Sequence, residues 1–229
     1  MSMTKTEKVS LFFKLATFVS AVVGVTLNLL PSDFTGPHNI LYFTTQSNIW
    51  IAIICLIGAI MIIYENKTGK VVRKRWMHIL KLVLTVAITV TGLIYCTMLA
   101  PLAKGYNPWT INNILCHITV PALAIADFFL RDSNEDYKYR EGLFATIPFF
   151  YYLLFSSIGF VLNWDFGQGR NYPYFFLDWN SPAGAFGFIA EFPYLGVNWW
   201  GIILTAMVFL LACFYIKLVK VKNKRKKVR

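Results

Sequence analysis

Six apolar runs, each about 20 residues or longer, leave few architectures open to this chain. They cover about residues 10–30, 41–64, 77–100, 111–130, 143–163 and 198–219. A helix needs about 20 residues to cross a hydrocarbon layer roughly 30 Å thick. In lipid the backbone must satisfy its own polar groups, which a helix does within one segment. Composition agrees, since 57% of the 229 residues are hydrophobic and only 14% charged, against about 45–50% and 25% in soluble domains. The expected fold is all-α: a polytopic membrane protein of six transmembrane helices forming one domain over residues 1–219, with a basic tail at 220–229.

The net charge of +11 raises nucleic-acid binding as a possibility, and the placement of the charge argues against it. The N-terminal ten residues carry Lys5 and Lys8. The 65–76 connection carries Lys67, Lys70, Arg73, Lys74 and Arg75, and the 131–142 connection carries Arg131, Lys138 and Arg140. The end of the chain holds eight more, from Lys217 to Arg229. The other three connections hold only Lys104 and Arg170. Basic residues on alternate connections are a topology signal, and the positive-inside rule assigns both termini to the cytoplasm. The tail is also suited to anionic headgroups. The first run is longer than a signal-peptide core and lacks an A-x-A flank, so it reads as the first span.

The four cysteines (Cys55, Cys96, Cys116, Cys213) and three histidines form no CxxC, HExxH or zinc spacing. No glycine-rich phosphate loop is present, and no cofactor or metal is implied. On the outer side, residues 31–40 and 101–110 are short and rich in turn formers. Residues 164–197 are long, aromatic and glycine-rich. Loops of that length usually carry function or are disordered, and this one is too aromatic for disorder. It is expected to fold back as a lid over the outer helix ends, or to form an interfacial aromatic belt.

Ionisable groups within the spans are costly and tend to mark function. Lys14, Lys81 and Asp127 lie near cytoplasmic helix ends and are expected to form a structural ion pair or to snorkel. His117 is different, because it lies six residues, roughly 9 Å, below the outer end of helix 4. A neutral core histidine bonded to a carbonyl or to Asn113 is the plain reading. At a similar depth, however, helix 2 opens with Tyr42-Phe43-Thr44-Thr45-Gln46-Ser47-Asn48. Thr45 and Asn48, three residues apart, share a face. A hydroxyl becomes a nucleophile when a neighbouring base, usually histidine, takes its proton. Asn48 or Asn113 side chains are candidate oxyanion donors. Cys96, Ser156 and Ser157 compete with Thr45 as nucleophiles. Cys116 is a poor partner, pointing about 100° away from His117. Asp127 is about 15 Å of helix from His117, so an orienting carboxylate would come from Asp33, Asp165, Asp178 or Glu191. Otherwise the site is a dyad.

The motifs YFTTQSN in helix 2, HITVPALAIAD in helix 4 and NYPYFFLD in the long loop together resemble the androgen-induced protein family. These are integral-membrane threonine hydrolases, and the chain is similar to their bacterial branch over its whole length in helix number, order and motif position. The resemblance implies cleavage of fatty-acid esters of hydroxy fatty acids, or similar lipid esters, drawn from the bilayer of a cell membrane. It implies Thr45 and His117 as the catalytic pair, because the family threonine precedes an acidic or amide residue by three positions. It places His117 ten residues before Asp127 with Pro121 between. Asn48 stands where eukaryotic members tend to carry aspartate. Two other classes stay open at this level: a non-catalytic lipid-binding protein, and a small-molecule transporter, whose helices would be broken near the midplane.

Overall fold

A computed structural model describes residues 3–32, 35–103, 105 and 107–228. Among them no strand forms beyond one isolated bridge, Phe188 with Leu195. Six helices are long and apolar enough to span a membrane: α1 (Lys5–Leu29), α2 (Phe43–Thr68), α3 (Arg75–Leu102), α4 (Ile111–Leu130), α5 (Tyr139–Val161) and α6 (Val197–Arg225). The protein is therefore a multi-pass, all-α membrane protein. Local chemistry sets several ends. Thr4 caps α1 in a reciprocal box with Glu7, which starts that helix earlier than its apolar run. Gly69, in the left-handed region at φ 70°, ends α2. The last helix continues through the basic tail to Val228 rather than stopping near residue 219, because Lys and Arg are good helix formers and no Gly or Pro intervenes. Lys222 Nζ and Asn223 Nδ2 tie it to Ser133.

Helix α3 is the hub, touching α2, α4, α5 and α6. Its most apolar window is 61% buried, against 28–44% for the other five. One core joins Leu82, Val86 and Val90 of α3 to Phe128, Tyr152, Tyr215 and Ile216. A second joins Ala21, Ile51, Ile88, Val120 and Ala124 across α1–α4. Close approach needs small residues: a Cβ on Gly24 would stand 2.7 Å from Cys116 Sγ.

The three charged residues expected to pair do so, with a fourth. Lys14 Nζ lies 2.7 Å from both Asp127 and Asp132, and Lys81 Nζ 3.0 Å from Asp127. Ser10 donates to Asp127 at 2.8 Å. Pairing of this kind is what lets such charges be buried at all.

Two helices are locally widened. Residues Tyr95–Leu99 of α3 and Leu115–Thr119 of α4 each form a π turn, in which Ala100 N–H donates to Tyr95 O and Val120 N–H to Leu115 O. In each case the next residue is a proline, Pro101 or Pro121. Proline has no N–H and its ring crowds the carbonyl four residues back, so widening by one residue relieves the clash. Such turns recur at functional sites.

Over the end of the bundle formed by these turns lies the 164–197 segment. Phe166, Phe176 and Leu177 are buried, and Tyr42 donates to Phe166 O at 2.7 Å. Phe175 meets Trp200 edge-to-face at 5.8 Å. The segment is packed onto the helix ends as a lid.

Candidate active site

Helix α2 starts at Phe43, after Tyr42 in extended conformation. Thr44 is thus in the first turn, where backbone N–H groups have no partner within the helix. Its Oγ1 lies 3.2 Å from His117 Nε2. His117 belongs to the π turn of α4 and is 6% exposed. Its Nδ1 is 2.9 Å from the carbonyl oxygen of Asn113. A carbonyl only accepts, so Nδ1 carries the hydrogen of a neutral ring and Nε2 presents a lone pair. The Thr44 hydroxyl is the donor to that lone pair. This is the arrangement of a hydroxyl nucleophile and its base.

The ring is held from a third direction. Tyr95, opening the π turn of α3, stacks on His117 with centroids 3.6 Å apart and planes 15° apart. The Tyr95 hydroxyl donates to Pro108 O, the same carbonyl that receives Asn113 Nδ2 at 3.1 Å. Widening of α4 also frees a carbonyl. Val120 N–H is committed to Leu115 and Pro121 has none, so Cys116 O is left to a side chain. Asn48 Nδ2 supplies the bond at 3.2 Å and donates to Thr44 O at 2.8 Å. Asn48 therefore clamps the Thr44 turn to the His117 turn. The oxygen of its amide is buried without a hydrogen-bond partner among the described residues.

Several expected residues fall elsewhere. The hydroxyl that meets His117 belongs to Thr44, not Thr45; the next residue on a helix points about 100° away, and Thr45 is buried at 1% exposure. Asn48 spends both amide hydrogens on carbonyls, Asn113 places one on Pro108 O, and Asn113 orients His117 through its backbone. Asp178 accepts from Asn180 N–H at 2.9 Å within its own turn, where partial burial raises its carboxyl above the usual range. It does not orient His117. Asp165 likewise serves Gly167 N–H at 2.7 Å, Glu191 is exposed, and Asp33 lies outside the described residues. Ser156 and Ser157 donate to Leu153 O at 3.1 and 2.8 Å, while Cys96 is exposed. The site is a dyad oriented by a backbone carbonyl.

Thr44 also lines a small cavity. Its walls come from α2 (Phe43), α3 (Val90, Thr91, Ile94, Leu99), α5 (Phe149, Tyr152) and the lid (Tyr174, Phe176, Leu177). The lining is apolar except for hydroxyls. Within it Thr44 N–H points at Tyr174 Oη, 3.4 Å away. Tyr95 and Tyr174 were not legible as site residues from composition or spacing, although Pro101 and Pro121, each six residues beyond the start of a π turn, were there to be compared. No protein-family model, no curated protein and no solved structure matches the chain.

Proposed function

We propose that the protein is an integral-membrane hydrolase of lipid esters, with Thr44 as nucleophile and His117 as general base and acid. The observation that carries this reading is the 3.2 Å contact between Thr44 Oγ1 and the unprotonated nitrogen of a ring fixed by Asn113 O. Thr44 Oγ attacks the ester carbonyl as its proton passes to His117 Nε2. The tetrahedral intermediate collapses, the C–O bond to the alcohol breaks, and His117 returns the proton to the leaving alkoxide. Water, deprotonated by the same nitrogen, then attacks the acyl-threonine. The carboxylic acid leaves and the proton returns to Thr44.

The adjoining cavity supplies the substrate class. An acyl chain lying among Val90, Ile94 and Phe149 would gain about 0.8 kcal/mol per buried methylene. The same resemblance that names Thr45 supports a lipid ester as substrate and a bacterial cell membrane as the location, while the 3.2 Å contact with His117 favours Thr44 as nucleophile.

The test uses the purified protein, an activated phosphonate ester and a medium-chain p-nitrophenyl ester. Labelling is expected on Thr44, with ester hydrolysis reduced by several orders of magnitude in Thr44→Val and in His117→Ala, and little further in the double variant. Thr45→Val is expected to retain most activity. Wild-type rates in Thr44→Val, or a label mapped to Thr45, would overturn the assignment.

A further inference from the structure

We infer that the Tyr174 hydroxyl is the oxyanion donor of this site, a role that rests on the hydrolase reading above. Tyr174 sits in the lid motif, and its phenol oxygen stands 3.4 Å from Thr44 N–H inside the cavity. When Thr44 Oγ attacks an ester carbonyl, the oxygen that gains charge lies on the side of Thr44 N–H, at the N-terminus of a 26-residue helix. That is the position the phenol oxygen overlooks. Backbone N–H groups there have no helical partner, and the helix end favours negative charge. An oxygen that accepts from Thr44 N–H still has its own proton to donate. The developing oxyanion therefore finds two convergent donors, Thr44 N–H and Tyr174 O–H, as the chemistry needs.

The polar side chains facing the Tyr174 hydroxyl are those of Thr44 and Tyr152. The Tyr174 ring lies against Tyr42 at 5.5 Å, Phe176 at 5.1 Å and Tyr152 at 6.1 Å, contacts that a phenylalanine ring would make equally. A hydroxyl carried into an apolar cavity costs desolvation unless it is used. Of the amides first considered as donors, Asn48 has both hydrogens committed to carbonyls and Asn113 is tied to Pro108 O. During attack the ester C=O becomes C–O⁻, Tyr174 donates a hydrogen bond without transferring its proton, and the bond relaxes when the carbonyl re-forms.

Full-length protein is assayed with a medium-chain p-nitrophenyl ester. Tyr174→Phe is expected to lower kcat by about 10²–10³-fold, leave KM near the wild-type value, and slow phosphonate labelling of Thr44 in parallel. Replacement of Tyr174 by 3,5-difluorotyrosine keeps the shape and makes the phenol more acidic. It is expected to hold kcat near neutral pH and to move the alkaline loss of activity to lower pH. A folded Tyr174→Phe variant with kcat within threefold of wild type overturns the inference, as does an alkaline limb that difluorotyrosine leaves unmoved. If Tyr174→Phe fails to fold, the difluorotyrosine profile decides. Wild type no more active than Thr44→Val overturns the hydrolase reading and this inference together; an active wild type, a dead Thr44→Val and a fully active Tyr174→Phe overturn only the role of Tyr174.

Discussion

Gly92 is the most stringent place to probe whether the His117 backbone must sit where it does. A Cβ built on Gly92 would stand 2.6 Å from His117 O and 3.3 Å from Pro121 Cγ. Ordinary contact begins near 3.4 Å, so α3 and α4 would have to separate by about 0.8 Å at this level. Neither contacting atom at the closest point is the end of a flexible side chain, since His117 O is backbone. Overpacking of this kind costs about 1–3 kcal/mol. The shift also acts on the 3.2 Å contact of Thr44 with His117 and on the stacking of Tyr95, because both depend on the same turn of α4. A misplacement near 1 Å can cost about 10²-fold in rate. Gly92→Ala is thus expected to lower the thermal midpoint in detergent and reduce ester hydrolysis by about two orders of magnitude. Gly201→Ala is the control, because its Cβ would meet only Leu153 Cδ1 at 3.6 Å. Both changes share the helix-propensity gain of up to about 1 kcal/mol from Gly to Ala, so that term cancels. Gly92→Ala with wild-type rate and Gly201→Ala-like stability would refute the claim that this backbone position controls the site.

Two further perturbations separate the clamp from the charge network. Asn48→Leu leaves Cys116 O buried without a donor, which costs roughly 1–3 kcal/mol, partly offset because it also removes an unpartnered amide oxygen. Asn48→Asp is expected to destabilise more, because it turns an oxygen toward the Thr44 and Cys116 carbonyls where Nδ2 now donates; chemical unfolding in detergent with equal midpoints for the two would contradict this. Lys14→Met strands Asp132 and weakens the support of Asp127, both buried, and is expected to cost about 3–5 kcal/mol. Because this network lies at the far end of α4 from His117, whatever folded fraction remains is expected to keep its kcat, so a large loss of kcat per folded molecule would show that the two ends are coupled.

Six spans were legible because length and hydropathy act locally, one run at a time. The pairing of Lys14 and Lys81 with Asp127 was legible for a related reason, since a buried carboxylate needs a cation and few are within reach. The site was legible at the level of helices: the heads of α2 and α4 do meet, and His117 is in the contact. The hydroxyl that contacts His117 is one residue from the one expected. Motif spacing joined Thr45 to Asn48, a separation of three residues and about 60° off phase on a helix, whereas Thr44 and Asn48 are four apart and about 40° off phase. Helical phase thus favours the pair that the structure bonds, Asn48 Nδ2 to Thr44 O. Tyr95, Gly92 and Tyr174 depend on which faces of α3 and the lid turn inward, and no period within either segment encodes that.

The irregular turns explain why periodicity could not reach further. A π turn inserts one residue, so everything beyond it is rotated by about 100° relative to a straight α-helix. In α4 this happens across Leu115–Thr119, between Asn113, which orients His117, and Ala124 and Asp127, which face the core and the charge network. Both faces are therefore correct at once, which a regular helix through the same residues would not achieve. Pro121 drives the change, and its consequences reach three partners. It crowds His117 O, which then lies against α3 where only Gly92 leaves room; it leaves Cys116 O to the Asn48 amide on α2; and through the widened turn it brings the His117 ring onto Tyr95, which a second proline, Pro101, has displaced in the same manner on α3. The meeting of Thr44 with His117 is thus a consequence of two prolines acting on backbone hydrogen bonds, and the polar atoms those prolines release are the ones that hold the two side chains together.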